Sequence, residues 1–261
     1  MAAKLSSAIK LPALRRAARS TVDLLFPPSC LNCNASLNEF NDVEDDSDVG
    51  FCETCTGEMQ RGDWPVCLRC ASRVPKLTQP SERCGHCQDQ KLWFDRTLAL
   101  GDYDGILREQ CLAMKTDRSE RLATAVGKLM ADRFGQDLLE QSPDALVPVP
   151  MHGWRRMVRG TNAPAGIAAC LARELGLPVF LGRLRRKRNS QPQLGLSNPA
   201  RFRNVRGDLQ VAASYDLEAP HVVLVDDVMT TGATCSEAAR VLKRAGAQRV
   251  TVFVAARTAS Y

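Results

Sequence analysis

Four CxxC pairs, Cys30/Cys33, Cys52/Cys55, Cys67/Cys70 and Cys84/Cys87, constrain the first third of this 261-residue chain more than any hydrophobic pattern does. A CxxC knuckle turns two thiolates toward one side of a metal, and two knuckles complete a tetrahedral site of four thiolates. Eighteen residues separate the first two knuckles and thirteen the last two, close to zinc-ribbon spacing. The segment around them has little helical or strand periodicity and too few apolar side chains for a core of its own, so metal must supply its folding energy. The expectation is two structural zinc ions, each with all four positions filled by thiolate and none left for water. Pairing first knuckle with second and third with fourth is preferred; an interleaved pairing and an iron–sulfur cluster are the alternatives. His86 lies between two cysteines that already supply ligands and reads as a polar knuckle residue. Cys111, Cys170 and Cys235 stand singly in helical patterns and read as small core residues.

The opening segment, residues 1–26, is basic and mildly amphipathic and reads as an N-terminal amphipathic helix. Arg15, Arg16 and Arg19 interrupt its apolar run, so it does not read as a signal peptide. No stretch approaches the roughly 20 apolar residues of a membrane span. A cytoplasmic location without membrane insertion is the expectation, and there thiols stay reduced, which also argues against disulfides for the eleven cysteines. The net charge of +6 is modest but uneven: from His152 to Arg206 twelve Arg or Lys face one acidic residue, Glu174. That stretch suits phosphates, a polyanion, or a solvated basic face. Asp42, Glu44, Asp45, Asp46 and Asp48 lack calcium-loop spacing and read as an exposed loop.

Composition changes near residue 90. Beyond Asp95, strand-like segments (97–100, 144–150, 221–228 and 249–256) alternate with helical ones (106–115, 120–134, 163–175 and 235–247). The third helical segment stops at Gly176, a normal C-terminal signal. HVVLVDDV is a near-continuous apolar run, as expected of a strand covered on both faces. Alternating strands and helices imply parallel βαβ units with ligand sites at the carboxyl ends of the strands. The expected organisation is an N-terminal helix (1–26), a double zinc ribbon (27–92), and an α/β domain (93–261) with a parallel sheet flanked by helices.

The segment VVLVDDVMTTGAT, residues 222–234, combines an apolar strand, two carboxylates at its end, and a tight turn opening a helix. Backbone amides of a Gly-containing turn at a helix N-terminus converge on an anion, and Thr hydroxyls add donors. Thr230, Thr231 and Thr234 supply those hydroxyls, Gly232 permits the turn, and Ala233 lies within it, ahead of the helix. Asp226 and Asp227 are wrong for gripping phosphate but right for accepting hydrogen bonds from sugar hydroxyls. One loop thus suits a ribose 5-phosphate.

This segment resembles the PRPP loop of type I phosphoribosyltransferases, in which the acidic pair holds the ribose 2- and 3-hydroxyls and the turn cradles the 5-phosphate. Nearly the whole chain from Phe26 onward looks like the ComF family. The shared features are the double ribbon, Tyr103-Asp104-Gly105 with Lys115 one helix later, and Pro148-Val149-Pro150-Met151-His152. They continue with Arg156-Met157-Val158-Arg159-Gly160, Gln191 with Gln193, Arg203-Asn204-Val205, and the PRPP loop. The resemblance implies a type I phosphoribosyltransferase-like fold, PRPP accompanied by Mg²⁺, and Lys115 meeting the pyrophosphate. It departs where the family pattern Arg-Gly-Phe-Asn-Gln is replaced by Arg159-Gly160-Thr161-Asn162-Ala163. Arg155, Arg156 and Arg159 follow a Pro-rich strand end, and their paired donors suit pyrophosphate. Arg183, Arg185, Arg186, Lys187 and Arg188, with Gln191 and Gln193, read as a basic loop. It suits a phosphorylated substrate, or a nucleic acid backbone in a sequence-independent way. Two classes of function follow: a phosphoribosyl-transferring enzyme in which Asp226 and Asp227 hold the ribose, or a non-catalytic module binding a nucleotide or single-stranded DNA. ComF-like proteins are associated with DNA uptake in natural competence, which adds a DNA-uptake protein as an expected partner.

Overall fold

The apolar run His221–Met229 forms the strand around which the rest of the chain is arranged. The computed structural model describes residues 27–37, 50–62, 64–75, 84–116, 120–151, 162–187, 197–212 and 219–258. Within them the elements follow in the order α1 (Glu53–Met59), β1 (Arg96–Asp102), α2 (Gly105–Ala113), α3 (Arg121–Leu139), β2 (Ala145–Pro148), α4 (Ala163–Leu175) and β3 (Leu184–Arg186). They continue with α5 (Asn198–Val205), β4 (Leu209–Val211), β5 (His221–Met229), α6 (Ala233–Arg244) and β6 (Arg249–Arg257). Four strands form a parallel sheet in the order β1-β6-β5-β2. β3 and β4 form a separate antiparallel pair, in which β3 comes from the segment that the sequence presents as a basic loop.

Because side chains alternate along a strand, β5 feeds two cores. Val222 and Leu224 face α6, with Ala238, Ala239 and Leu242. Val223 and Val225 face α2, α3 and α4, with Leu107, Val126 and Ile167. All four β5 residues are fully buried, each worth about 1.5–3 kcal/mol relative to exposure. Their β-branched or leucine side chains suit a pleated surface covered on both sides. At the amino end of β5 the buried His221 bridges to the Gln141 carbonyl (3.0 Å) and Thr251 Oγ1 (2.9 Å), which ties the sheet together opposite its carboxyl edge.

The cysteine knuckles pair sequentially. The ligand atoms of Cys30, Cys33, Cys52 and Cys55 all lie within 4.8 Å of one another, as do those of Cys67, Cys70, Cys84 and Cys87. Sulfur separations of 3.6 Å (Cys33–Cys52), 3.8 Å (Cys67–Cys87) and 3.6 Å (Cys70–Cys84) match the ~3.8 Å edge of a tetrahedron built on zinc–sulfur bonds of about 2.3 Å. Each quartet therefore fits one four-coordinate ion, with no room for a multi-iron cluster between the thiols. His86 is exposed and takes no part, and the three single cysteines are buried.

The two ribbons straddle the edge strand β1. The first joins the core on the α2 face through Cys30, Cys55 and Met59. The second joins the α6 face through Cys67, Cys70, Ala71 and Val74. An uncovered edge strand would invite pairing with other chains. Here the Thr97 amide donates to the Leu68 carbonyl (3.0 Å) and the Arg61 amide to the Leu100 carbonyl (3.1 Å), so the ribbons cover the edge. The approach is so close that a Cβ at Gly101 would stand 2.1 Å from the Met59 carbonyl oxygen, a space only glycine leaves open. At the end of β1, the buried Asp102 carboxylate takes both Arg61, from the link between the ribbons, and Arg73 of the second ribbon.

The quartets differ in exposure: Cys33 is exposed and Cys52 half-buried, whereas three thiols of the second quartet are buried and Cys84 is half-buried. Purified protein is expected to hold two zinc equivalents and to lose them to a chelator in two phases, the first quartet emptying first. Cys33→Ser should leave one equivalent, released in the slow phase; a single phase for both ions, or loss of the slow phase in that variant, would refute the assignment.

Candidate functional site

The carboxyl ends of β5 and β2 meet where a crevice must open. The helix after β2 packs on one face of the sheet and the helix after β5 on the other, so the two connections part company at adjacent strand ends. Open α/β sheets bind ligands at such a switch point. Of the residues that the sequence singles out, Asp226, Asp227, Lys115 and the turn at residues 230–234 lie there.

Asp226 and Asp227 end the buried part of β5 and point to opposite faces. Asp226 lies on the α6 side, with the Cys235 thiol 3.7 Å from its Oδ2. Asp227 lies on the α2 side, with Lys115 Nζ 3.9 Å from its Oδ2. Asp226 is only 9% exposed, and burial, followed by the neighbouring Asp227 charge, raises its pKa well above the usual carboxylate range. Arg186 opposes that shift. The pair is thus unequal: Asp226 is costly to ionise, whereas Asp227 is half-buried beside Lys115. Each carboxylate also accepts the next backbone amide, Asp227 N–H to Asp226 (2.9 Å) and Val228 N–H to Asp227 (2.8 Å), which fixes both side chains. The buried Cys111 thiol beneath Asp227 is pushed up to about 12, by burial first and then by the Asp227 charge.

The turn that follows has the form expected of an anion cradle. Gly232 caps α6 in the left-handed conformation, at φ 78° and ψ 7°. A Cβ there would also press on Phe94, at 3.3 Å, so two independent reasons select glycine. The Ala233 amide reaches Thr231 Oγ1 at 3.4 Å, and the Ser236 amide begins the helical ladder on the Gly232 carbonyl (2.7 Å). Thr230, Thr231 and Thr234 are all half-buried, lining the turn without being sealed by it. The first amides of a helix lack intrahelical acceptors and carry the positive end of its dipole, so the turn presents donors and partial positive charge to one spot.

Lys115 lies just beyond α2, at the mouth beside Asp227. Arg155, Arg156 and Arg159, which follow β2, lie outside the described residues, as do Arg188, Gln191, Gln193, the acidic stretch 42–48 and the N-terminal segment 1–26. The basic run divides. Arg183 is buried with its guanidinium 4.8 Å from the Phe180 ring centre, and Arg186 pairs with the fully buried Asp208 while donating to the Pro150 carbonyl (2.9 Å). Only Arg185 and Lys187 remain exposed among its described members. Of the charges read as a loop for phosphate or nucleic acid, Arg186 thus holds β3 to the residue before β4 and to the end of β2, and Arg183 is turned onto an aromatic ring.

Sequence reasoning missed several supporting residues. Arg257, the last residue of β6, is 3% exposed and donates to the Met229 (3.4 Å) and Thr230 carbonyls under the turn. Its one sequence signal is a charge closing an otherwise apolar strand. Asn32 and Gln110 form a relay in which Gln110 donates to Asn32 Oδ1 (2.9 Å) and Asn32 Nδ2 to the Cys55 sulfur (3.3 Å), and no short-range pattern announces it.

Comparisons with known proteins fit this architecture. The family model described as "Phosphoribosyl transferase domain" matches residues 117–261, and that described as "Double zinc ribbon domain" matches residues 21–88. The chain is 28% identical over 236 residues to Competence protein F of Haemophilus influenzae, covering 87% of this chain and 96% of that one. It is 30% identical over 231 residues to the DNA utilization protein YhgH of Salmonella typhimurium, covering 80% and 97%. With Competence protein ComFC of Bacillus subtilis it shares 24% identity over 205 residues, covering 72% and 82%. A double zinc ribbon followed by a parallel-sheet domain, matched over nearly the full length of these relatives, places the chain in the phosphoribosyl transferase domain family, among its ComF-type members.

Proposed function

We propose that the crevice at the carboxyl ends of β2 and β5 binds PRPP, or a related phosphorylated ribose, and that the protein serves DNA uptake as its competence-named relatives are named for. The observation that carries this reading is the joining of a fixed carboxylate pair to a glycine-capped helix N-terminus in one continuous segment, Asp226 to Thr234. In it, Asp226 and Asp227 accept hydrogen bonds from the ribose 2- and 3-hydroxyls, while Thr230, Thr231, Gly232, Ala233 and Thr234 surround the 5-phosphate. Lys115 swings from its long contact with Asp227 to the pyrophosphate, and Arg156 and Arg159 are proposed to join it.

For transfer, an acceptor attacks C1 of the ribose as the bond to pyrophosphate breaks, and the leaving group takes the electron pair. Such a step needs placement and charge stabilisation more than a strong base. Mg²⁺ arriving with PRPP would offset charge on the departing pyrophosphate. The chain's own residues hold the ribose and 5-phosphate still, and place Lys115 where negative charge grows.

A second reading, a single-strand DNA grip, is favoured by the exposure of Arg185 and Lys187 at β3 and of Arg203 and Arg206 in the α5 region. Cations without a base-reading element bind backbone phosphate and release counterions. If this reading holds, Arg185→Glu combined with Lys187→Glu and Arg203→Glu should flatten the salt dependence of DNA binding while leaving PRPP binding intact; an unchanged salt slope removes it.

Two substitutions separate binding from stability. Asp227→Asn should weaken Mg²⁺-PRPP binding, measured by calorimetry, by about tenfold to a hundredfold, the ~1.5–3 kcal/mol of a charged hydrogen bond, without unfolding the protein. Unchanged affinity would refute the ribose assignment. Asp226→Asn should also weaken binding yet raise unliganded stability. Because the folded pKa of Asp226 is raised, the folded state holds its proton more tightly than the unfolded state, so wild-type stability falls as pH climbs above the unfolded value of about 4. Asparagine escapes that loss, so its advantage should grow with pH in denaturant titrations; an advantage that shrinks toward alkaline pH would contradict the burial argument.

A further inference from the structure

The buried guanidinium of Arg257 touches both the second ribbon and the phosphate turn. On the ribbon side its Nε donates to the Cys70 carbonyl (2.9 Å) and its Nη2 to Ser72 Oγ (3.1 Å). Ser72 Oγ in turn lies 3.3 Å from the sulfur of Cys70, a member of the second quartet. On the other side Nη1 donates to the carbonyls of Met229 (3.4 Å), Thr230 and Thr258 (2.8 Å). Thr258 closes the arrangement by donating its amide to the Met229 carbonyl (3.1 Å).

A second contact grips the same turn from its far side. Phe94, which follows the last knuckle, packs against the αL Gly232. The neighbouring Trp93 amide donates to Ser236 Oγ (3.1 Å), and that hydroxyl reaches back to the Lys91 carbonyl (3.3 Å). The turn from Thr230 to Ser236 is thus held between Arg257 and the Lys91–Phe94 segment, both anchored at the second quartet. Electrostatics points the same way. Zinc bound by four thiolates carries a formal charge of −2, a counter-charge suited to a cation that is 3% exposed. A planar fork also donates in several fixed directions at once, which a lysine cannot reproduce.

We propose that Arg257 is a positioning residue that links metal occupancy of the Cys67–Cys70–Cys84–Cys87 site to ligand binding at residues 230–234. Zinc fixes the Cys70–Ser72 backbone, the backbone fixes the guanidinium, and the guanidinium holds the Met229 and Thr230 carbonyls so that the amides beyond them converge on one anion. Linkage is reciprocal, so a phosphate in the turn should hold zinc in the second ribbon. The first ribbon has no such role, because it docks on the opposite face through Gln110 and Asn32. The ligand side of this inference rests on the phosphate reading of the turn; the positional side does not.

The test uses the full-length protein loaded with both zinc ions, as wild type and as Arg257→Met. Hydrogen exchange is followed over residues 229–236, and zinc release to a chromogenic chelator is followed with and without ribose 5-phosphate. In wild type, ribose 5-phosphate should slow the later phase of zinc release about tenfold and leave the early phase unchanged. Arg257→Met should still bind two zinc equivalents, exchange its 230–234 amides about tenfold faster, and show no slowing of zinc release by ribose 5-phosphate. Arg257→Lys should behave like the methionine variant. Equal exchange in wild type and Arg257→Met, or full rescue by lysine, overturns the proposal. If wild type does not bind ribose 5-phosphate, the phosphate reading of the turn fails, and the exchange comparison alone decides whether Arg257 positions it. Should Arg257→Met fail to hold two zinc ions, Ser72→Ala carries the comparison: it should weaken the slowing of zinc release, and an undiminished effect overturns the proposal.

Discussion

Burial of β5 on both faces is the constraint on which the rest of the structure depends. A strand whose side chains are covered above and below meets solvent only at its ends, so polar chemistry on it is confined to the last residues before the turn. Asp226 and Asp227 occupy that position, and the alternation that sends Val222 and Val223 into different cores also sends the two carboxylates to different faces. Their inequality follows. Asp226 is walled in by α6 and Cys235, while Asp227 is half-buried beside Lys115. A carboxylate that is expensive to ionise before a ligand arrives is the kind of local cost that folds retain at functional sites.

The ribbons belong to the same arrangement. A parallel sheet ending in β1 needs its edge covered, and a loop-rich segment without a core of its own needs a surface to pack on. The contacts of Arg61 and Arg73 with Asp102, together with the close backbone approach at Gly101, answer both needs. Covering the edge also brings the second cysteine quartet within reach of the carboxyl end of β6, and so of Arg257. The second quartet and the turn at residues 230–234 are thereby separated by one guanidinium and a few backbone carbonyls, although more than a hundred residues separate Cys87 from the acidic pair in the chain.

Charge read along the sequence is a poor guide to charge at the surface. The run from Arg183 to Arg188 reads as one basic loop, yet Arg183 stacks on Phe180 and Arg186 is absorbed by the buried Asp208. Asp208 lies more than twenty residues from Arg186, just before the strand that pairs with β3, and nothing local to the arginines announces it. Among the described residues of that run only Arg185 and Lys187 stay exposed, on β3 and just after it.

What the sequence determined by itself was whatever is encoded by near neighbours. The CxxC spacings set two tetrathiolate sites, because a knuckle is a four-residue turn. The step from apolar strand to Asp-Asp to Thr-Thr-Gly set a carboxylate pair against a helix N-terminus, because strand, turn and cap are all local structures. The alternation of strand and helix patterns set a parallel sheet. The tertiary structure alone decided which knuckles share an ion, which carboxylate is buried, which arginines are spent inside, and that Arg257 reaches both the turn and the second ribbon. These depend on contacts between segments far apart in the chain, and the energies that select them, desolvation of a charge and satisfaction of a buried donor, are defined only when packing has fixed what surrounds each group.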